Sequence, residues 1–334
     1  MWQTLADLLT YIGVILVGIF VWAALSPIET MGWWAGWFGD KIHDGGIQPG
    51  NETPRLRPNP DAFLLFMSGV GKATGETLSF REQEFLRRLA RAVPRLVIVD
   101  DIFPYSVNNM PLTGQPVFAR LWRWALQRKL NGPQLAGYLI NLRNIWQVLI
   151  SADKRYGPVY NQSLAEVLLH TLLRYRYDPD ARKPIFIMGY SGAGQFAVGC
   201  AAYLKEWLQA PVYVISLGGV FASDRGLLVA DHIYHLIGDR DRSHRYGYLA
   251  PGRWAFSVAS DWNRARRQGK VTILRMGDMD HAGRGGYLDH QRHLPDGRAF
   301  VDKTVDTIAE IIASHTGHPP SHASLPPQQV AQPA

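Results

Sequence analysis

The chain of 334 residues has a single cysteine, Cys200, which excludes an intramolecular disulfide and any thiolate-rich metal site. It leaves the redox compartment open. No triplet or longer unit repeats along the sequence, and 32 Gly and 21 Pro are close to ordinary usage, so collagen-like and solenoid architectures are excluded. The excess of one charge sign is modest. Thirty-five Lys and Arg against 28 Asp and Glu give a formal net charge of +7, too evenly spread to define a nucleic-acid surface, and no nucleic-acid partner is expected. What is abundant is apolar material, 47% of residues, enough for one large core with attachments.

Those attachments lie at the two ends. Between Asp7 and Glu29 no residue is charged, and residues 8–28, at 1.5 Å rise per residue, are long enough to cross about 30 Å of hydrocarbon. This predicts a single-pass transmembrane anchor, with Trp2, Trp22, Trp33, Trp34 and Trp37 near its ends where amphipathic rings settle. A cleaved signal peptide fits less well, because no Lys or Arg precedes the segment and Pro27 follows Ser26. The flanks carry too few Lys or Arg to fix orientation. Residues 29–61 read as a linker. From 317 to 334, Pro, Ser, His, Gln and Ala replace any periodic pattern, which predicts a disordered tail, with His315, His318 and His322 solvated rather than metal-binding.

Between the ends, six short branched or aromatic runs are read as strands: 62–67, 96–99, 185–188, 212–217, 233–237 and 271–276. Helical patterns over 80–93, 163–175, 193–208 and 298–314 separate most of them. The alternation predicts an α/β domain over 62–316, a mainly parallel sheet flanked by helices, with its chemistry at the carboxyl ends of the strands. Residues 104–158 interrupt the alternation with two helices and no strand, and read as a lid. In the first, Phe118, Leu121, Trp122, Ala125 and Leu126 share a face, while Arg120, Arg123 and Lys129 lie largely off it. Packing onto the sheet accounts for that pattern, and anionic headgroups would suit it too. The second, 135–150, keeps only a narrow polar stripe, so it is buried or faces lipid.

One strand end carries a chemical signature. The run 185–188 leads into Gly189-Tyr190-Ser191-Gly192-Ala193-Gly194 and then a helix of small residues. A serine on such a turn is thrust clear of the backbone at a helix N-terminus, and small neighbours two residues to either side let strand and helix approach. Here the sequence resembles the α/β-hydrolase superfamily, whose nucleophile elbow is written GxSxG, with Ala193 in place of the last glycine. The superfamily's order of parts implies an acid after a later strand and a histidine after the next. Gly238-Asp239-Arg240-Asp241 selects Asp241 first and Asp239 second, and the loop Gly277-Asp278-Met279-Asp280-His281 supplies His281 as general base.

The resemblance also implies an oxyanion hole. Its donors would be the Gly192 N–H and one from Ser68-Gly69-Val70-Gly71, which looks like the superfamily's His-Gly-x-Gly loop, with Val70 first and Gly69 as substitute. Lys72 follows, but Phe66 and Met67 stand where a phosphate-binding loop needs glycine. The implied activity is hydrolysis of a carboxylic ester or thioester with an apolar group, without metal or organic cofactor. The alternatives are an esterase for small polar substrates and an inactive membrane scaffold on the same fold.

Overall fold

The computed structural model describes residues 2–25, 27–37, 59–74, 78–112, 120, 123–124, 126–128 and 135–318. The chain begins with α1 (Trp2–Leu25) and α2 (Ile28–Trp34), then β1 (Ala62–Met67), α3 (Phe80–Ala92) and β2 (Leu96–Val99). Next come α4 (Leu135–Ala152), α5 (Gly157–Arg174), β3 (Ile185–Tyr190), α6 (Ala193–Leu208), β4 (Val212–Leu217) and α7 (Gly226–Val229). The last elements are β5 (His232–Ile237), α8 (Asp261–Arg267), β6 (Val271–Arg275) and α9 (Phe300–Thr316).

The six strands form one sheet in the order β2-β1-β3-β4-β5-β6, and every pairing is parallel. This is the mainly parallel sheet flanked by helices expected from the alternation, and it is consistent with an α/β-hydrolase fold. Parallel strands need crossovers, and those put helices on both faces, so strand residues must be apolar on both sides. All six residues of β1 are buried accordingly. Phe63 and Leu65 face one core layer with residues of α4, α5 and α6, while Leu64 and Phe66 face the other with α3 and α9. The order reverses at β1 and β3, leaving a crevice beyond their carboxyl ends.

The boundaries of the expected elements shift at few points. The helix expected over 163–175 starts earlier, at Gly157, because Pro158 occupies a first-turn position where its missing N–H costs nothing. The helix α3 starts at a capping box, Ser79 with Glu82. The helix α9 ends on Gly317 at φ 73°, a left-handed cap that glycine tolerates.

The transmembrane span expected over 8–28 finds no support in the fold. Its residues form α1, which stops at Leu25, and among the described residues no helix is long and apolar enough to cross a membrane. The described side chains of α1, including Leu8, Leu9, Val14, Ile15, Leu16 and Val17, are exposed. The stretch read as a linker opens with α2, which packs against α5 with Thr30 buried. Residues 38–58 and 319–334 lie outside the described residues, as do Phe118, Leu121, Trp122 and Ala125 of the first lid helix. The second helix expected in 104–158 is α4, and it packs against α5 and α6.

Candidate active site

Ser191 sits at the turn from β3 into α6 with φ 58°, the left-handed region that a non-glycine residue enters at a cost of about 1 kcal/mol. The surrounding chain holds it there. Its N–H donates to Leu217 O at 3.1 Å, and its carbonyl accepts from Val220 N–H at 2.9 Å and Gly194 N–H at 3.0 Å. The small residues of the elbow are geometric requirements, since a Cβ at position 189 would stand 2.3 Å from Ala193 O. The Ser191 hydroxyl then lies at the sheet crevice, and 2.7 Å away is His281 Nε2.

His281 Nδ1 is 2.9 Å from Asp241 Oδ2. An ionised carboxylate only accepts, so the proton of a neutral imidazole resides on Nδ1 and leaves Nε2 facing the serine as an acceptor. Asp241 is buried, and its other oxygen accepts from Ser243 N–H at 2.7 Å. Burial works to raise its carboxyl, but hydrogen bonds from His281, Tyr287 and Ser243 and the histidine's charge outweigh that and hold it below the usual range. Asp239, the second candidate, points away. Its carboxylate is exposed beside Arg275, at 3.7 Å, while Asp278 pairs with Arg240 at the surface. Three separated loops thus bring Ser191, His281 and Asp241 into one hydrogen-bonded row, an arrangement that can move a proton off the serine as its oxygen attacks an electrophile.

The loop after β1 lies against the same serine. A Cβ at Gly69 would be 3.2 Å from Ser191 Cβ, and one at Gly192 would be 2.7 Å from Val70 Cγ1 and 3.2 Å from Val148 Cγ2. Among the described residues, no backbone hydrogen bond engages the Val70 or Gly192 N–H, so both remain available to a developing negative charge. The loop is tied down on both sides. Asn144 of α4, fully buried, donates from Nδ2 to Val70 O at 2.7 Å and Lys72 O at 2.6 Å. Beneath, Ser68 donates to Glu82, whose other oxygen lies 2.6 Å from Lys72 Nζ. Burial works to raise the Glu82 carboxyl, and the Lys72 charge with hydrogen bonds from Lys72, Ser68 and Ser79 brings it below its ordinary value.

Sequence reasoning missed several residues of the site. Tyr287 hydrogen-bonds to Asp241 Oδ2, and Tyr190 donates to His281 O at 2.6 Å while its ring stacks on the imidazole. Gly218 has φ 53°, and a Cβ there would stand 2.6 Å from the Tyr287 ring and 2.7 Å from Asp241 Oδ2. Asn144 and Glu82 complete the set. Only Tyr190 had a signal, its place inside the elbow; the others are joined to the site by contacts distant in sequence. No group of three or more His, Cys, Asp or Glu is gathered as a metal site among the described residues.

No known family matches the sequence, and no curated protein matches it. Among solved structures, the chain is similar to the crystal structure of a protein provisionally assigned as a dienelactone hydrolase, from Klebsiella pneumoniae subsp. pneumoniae MGH 78578. The two share 12% identity over 79% of this chain and 90% of that chain, at a TM-score of 0.39.

Proposed function

We propose that this chain is a serine hydrolase that cleaves a carboxylic ester or thioester carrying an apolar acyl or alcohol group, and that it works at a membrane. The carrying observation is the row Ser191, His281 and Asp241, with separations of 2.7 and 2.9 Å, at the sheet's crevice. Ser191 Oγ attacks the carbonyl carbon as His281 Nε2 takes its proton, and Asp241 steadies the imidazolium. The Val70 and Gly192 N–H groups receive the oxyanion, a contribution of about 10²–10³ in rate for each such donor. Collapse of the tetrahedral intermediate expels the alcohol or thiol, which takes the proton from His281. Water then repeats the sequence on the acyl-serine and releases the acid.

The apolar substrate group is supported by Val70 and Val148, which stand beside Gly192 and so beside the nucleophile. Membrane association is supported by the exposed apolar side chains of α1 and by Tyr138, Ile145 and Leu149, exposed on α4. The first test is labelling with a fluorophosphonate probe. The wild type is expected to label and Ser191→Ala to stay unlabelled; labelling that persists in the variant, or never occurs in folded wild type, sinks the mechanism and favours the inactive scaffold. The second compares kcat/KM for short and long acyl chains with and without vesicles. Preference for short chains with no vesicle effect replaces the apolar substrate with a small polar ester.

A further inference from the structure

Beyond Asp241 the chain makes two short 3-10 turns, 243–249 and 251–253, and reaches α8 through a loop. This segment leaves an unusual amount of apolar surface outside. Leu249 is 79% exposed and Phe256 76%, and Tyr246, Tyr248, Trp254 and Val258 are exposed with them. Such side chains ordinarily turn inward, and here the backbone prevents it. Asn263 donates from Nδ2 to Trp254 O at 2.7 Å and to Ser257 O at 3.0 Å, Arg267 donates to Val258 O at 2.7 Å, and Trp254 Nε1 donates to Tyr248 O at 2.7 Å. Arg253, buried between them, stacks its guanidinium 3.6 Å from the Trp262 ring centroid and 4.4 Å from that of Phe221. These bonds fasten the loop's carbonyls while its apolar side chains stay exposed.

The charges around this surface are mostly basic, Asp261 being paired with Arg264 at 3.7 Å. Between positions 242 and 270 there are seven Lys or Arg and one acidic residue, Asp261. Arg242, Arg245, Arg264, Arg266 and Arg267 are exposed. Aromatic and aliphatic side chains ringed by arginine match the two layers of an anionic bilayer, apolar groups at the acyl boundary and guanidinium groups at the phosphates. The segment also follows the carboxyl end of β5 directly after Asp241, so it stands at the same end of the sheet as Ser191. A cavity of about 660 Å³ separates it from the end of α4, with Ala152 and Lys154 on one wall and Pro251 and Gly252 on the other.

We infer that the segment 243–260 is a lipid-docking surface that seats its apolar side chains in an anionic membrane and turns the mouth of the Ser191 site toward the bilayer. This does not depend on the hydrolase chemistry, and it is separable from attachment through α1.

The lone cysteine makes the test direct, because Cys200 is fully buried and burial pushes its thiol well up. In the otherwise unaltered chain, Phe256→Cys carries an environment-sensitive fluorophore, and Asp180→Cys at the amino end of the sheet carries it as control. Vesicles of phosphatidylglycerol or of phosphatidylcholine are added, and sedimentation reports attachment by any route. The expected result is a blue shift and rise in emission at position 256 with phosphatidylglycerol, none at 180, and none at either position with phosphatidylcholine. Arg245→Ala with Arg264→Ala should need about thirtyfold more anionic lipid for the same change. A label at 256 that stays in water while the chain sediments with the vesicles overturns the proposal. So does shielding that grows with protein concentration without lipid, which would mark an interface between copies. Fluorophosphonate labelling of the same variants reports the serine chemistry separately.

Discussion

The Tyr287 hydroxyl donates to Asp241 Oδ2 at 2.7 Å, the same oxygen that faces His281, and accepts the Gly238 N–H at 2.7 Å. Burial and the aspartate's charge push the tyrosine hydroxyl upward, so it stays protonated as a donor. It thereby ties the carboxylate to the backbone at the start of its own loop. Tyr287→Phe should lower kcat by about tenfold with KM little changed, the worth of one hydrogen bond to a charged group. Steady-state ester hydrolysis checks this, and an unchanged kcat would show that Ser243 and His281 hold Asp241 by themselves.

The two aspartates of the β5 loop separate cleanly. Asp241→Asn should cost about 10³ to 10⁴ in kcat, because the amide can hold the imidazole in the wrong tautomer. Asp239→Asn removes only an exposed carboxylate 3.7 Å from Arg275 and should leave turnover near wild type, as pairs of that kind contribute little. The reverse ranking in initial rates would reassign the acid.

Asn144 spans from α4 to the carbonyls of Val70 and Lys72. Asn144→Ala frees two buried acceptors and lets the Val70 N–H drift from where an oxyanion forms. The expected loss is up to about 10²-fold in kcat, with the rate of fluorophosphonate labelling falling in step. Full activity in the variant would mean that Glu82, together with the Tyr105 hydroxyl that donates to Ser68 O at 2.9 Å, fixes this loop without help from α4.

His235 lies fully buried on β5 with Nδ1 3.1 Å from the Ser216 hydroxyl. Burial, then the nearby Arg253 and His244 charges, pushes it down to about 3. An unfolded histidine takes up its proton near pH 6.5, so the folded chain binds fewer protons between those two values. Stability is therefore complete above about pH 6.5 and falls by about 1.4 kcal/mol per unit as the pH drops toward 3. Denaturant unfolding across that range should be shallower for His235→Gln. Parallel profiles would show that this imidazole is protonated in the folded state as well.

Much of the architecture was legible from periodicity. Apolar runs with no polar alternation belong to strands covered on both faces, and β1, β2 and β4 have the bounds read from sequence. The elbow was legible for a related reason, since a serine between small residues at a strand end is a local pattern and local patterns survive in sequence. The resemblance ordered Ser191, Asp241 and His281 along the chain, and the fold brings those three side chains within hydrogen-bonding distance.

Distance was not legible. Asp239 and Asp241 are equivalent in composition and two residues apart, and only the turn after β5 sends one carboxylate under His281 and the other to the surface. Gly218, Asn144 and Glu82, and the contact of Tyr287 with Asp241, come together across long stretches of chain, where side-chain directions depend on how the sheet twists and the helices pack. The apolar N-terminal run shows the same division. Its hydrophobicity, its helical period and the Pro27 that follows it are properties of the sequence, whereas the packing of α2 on α5, with Thr30 buried, is decided by the folded domain. Pattern depends on neighbours along the chain and is written there; proximity between distant residues exists only once the chain has closed its loops and buried its core.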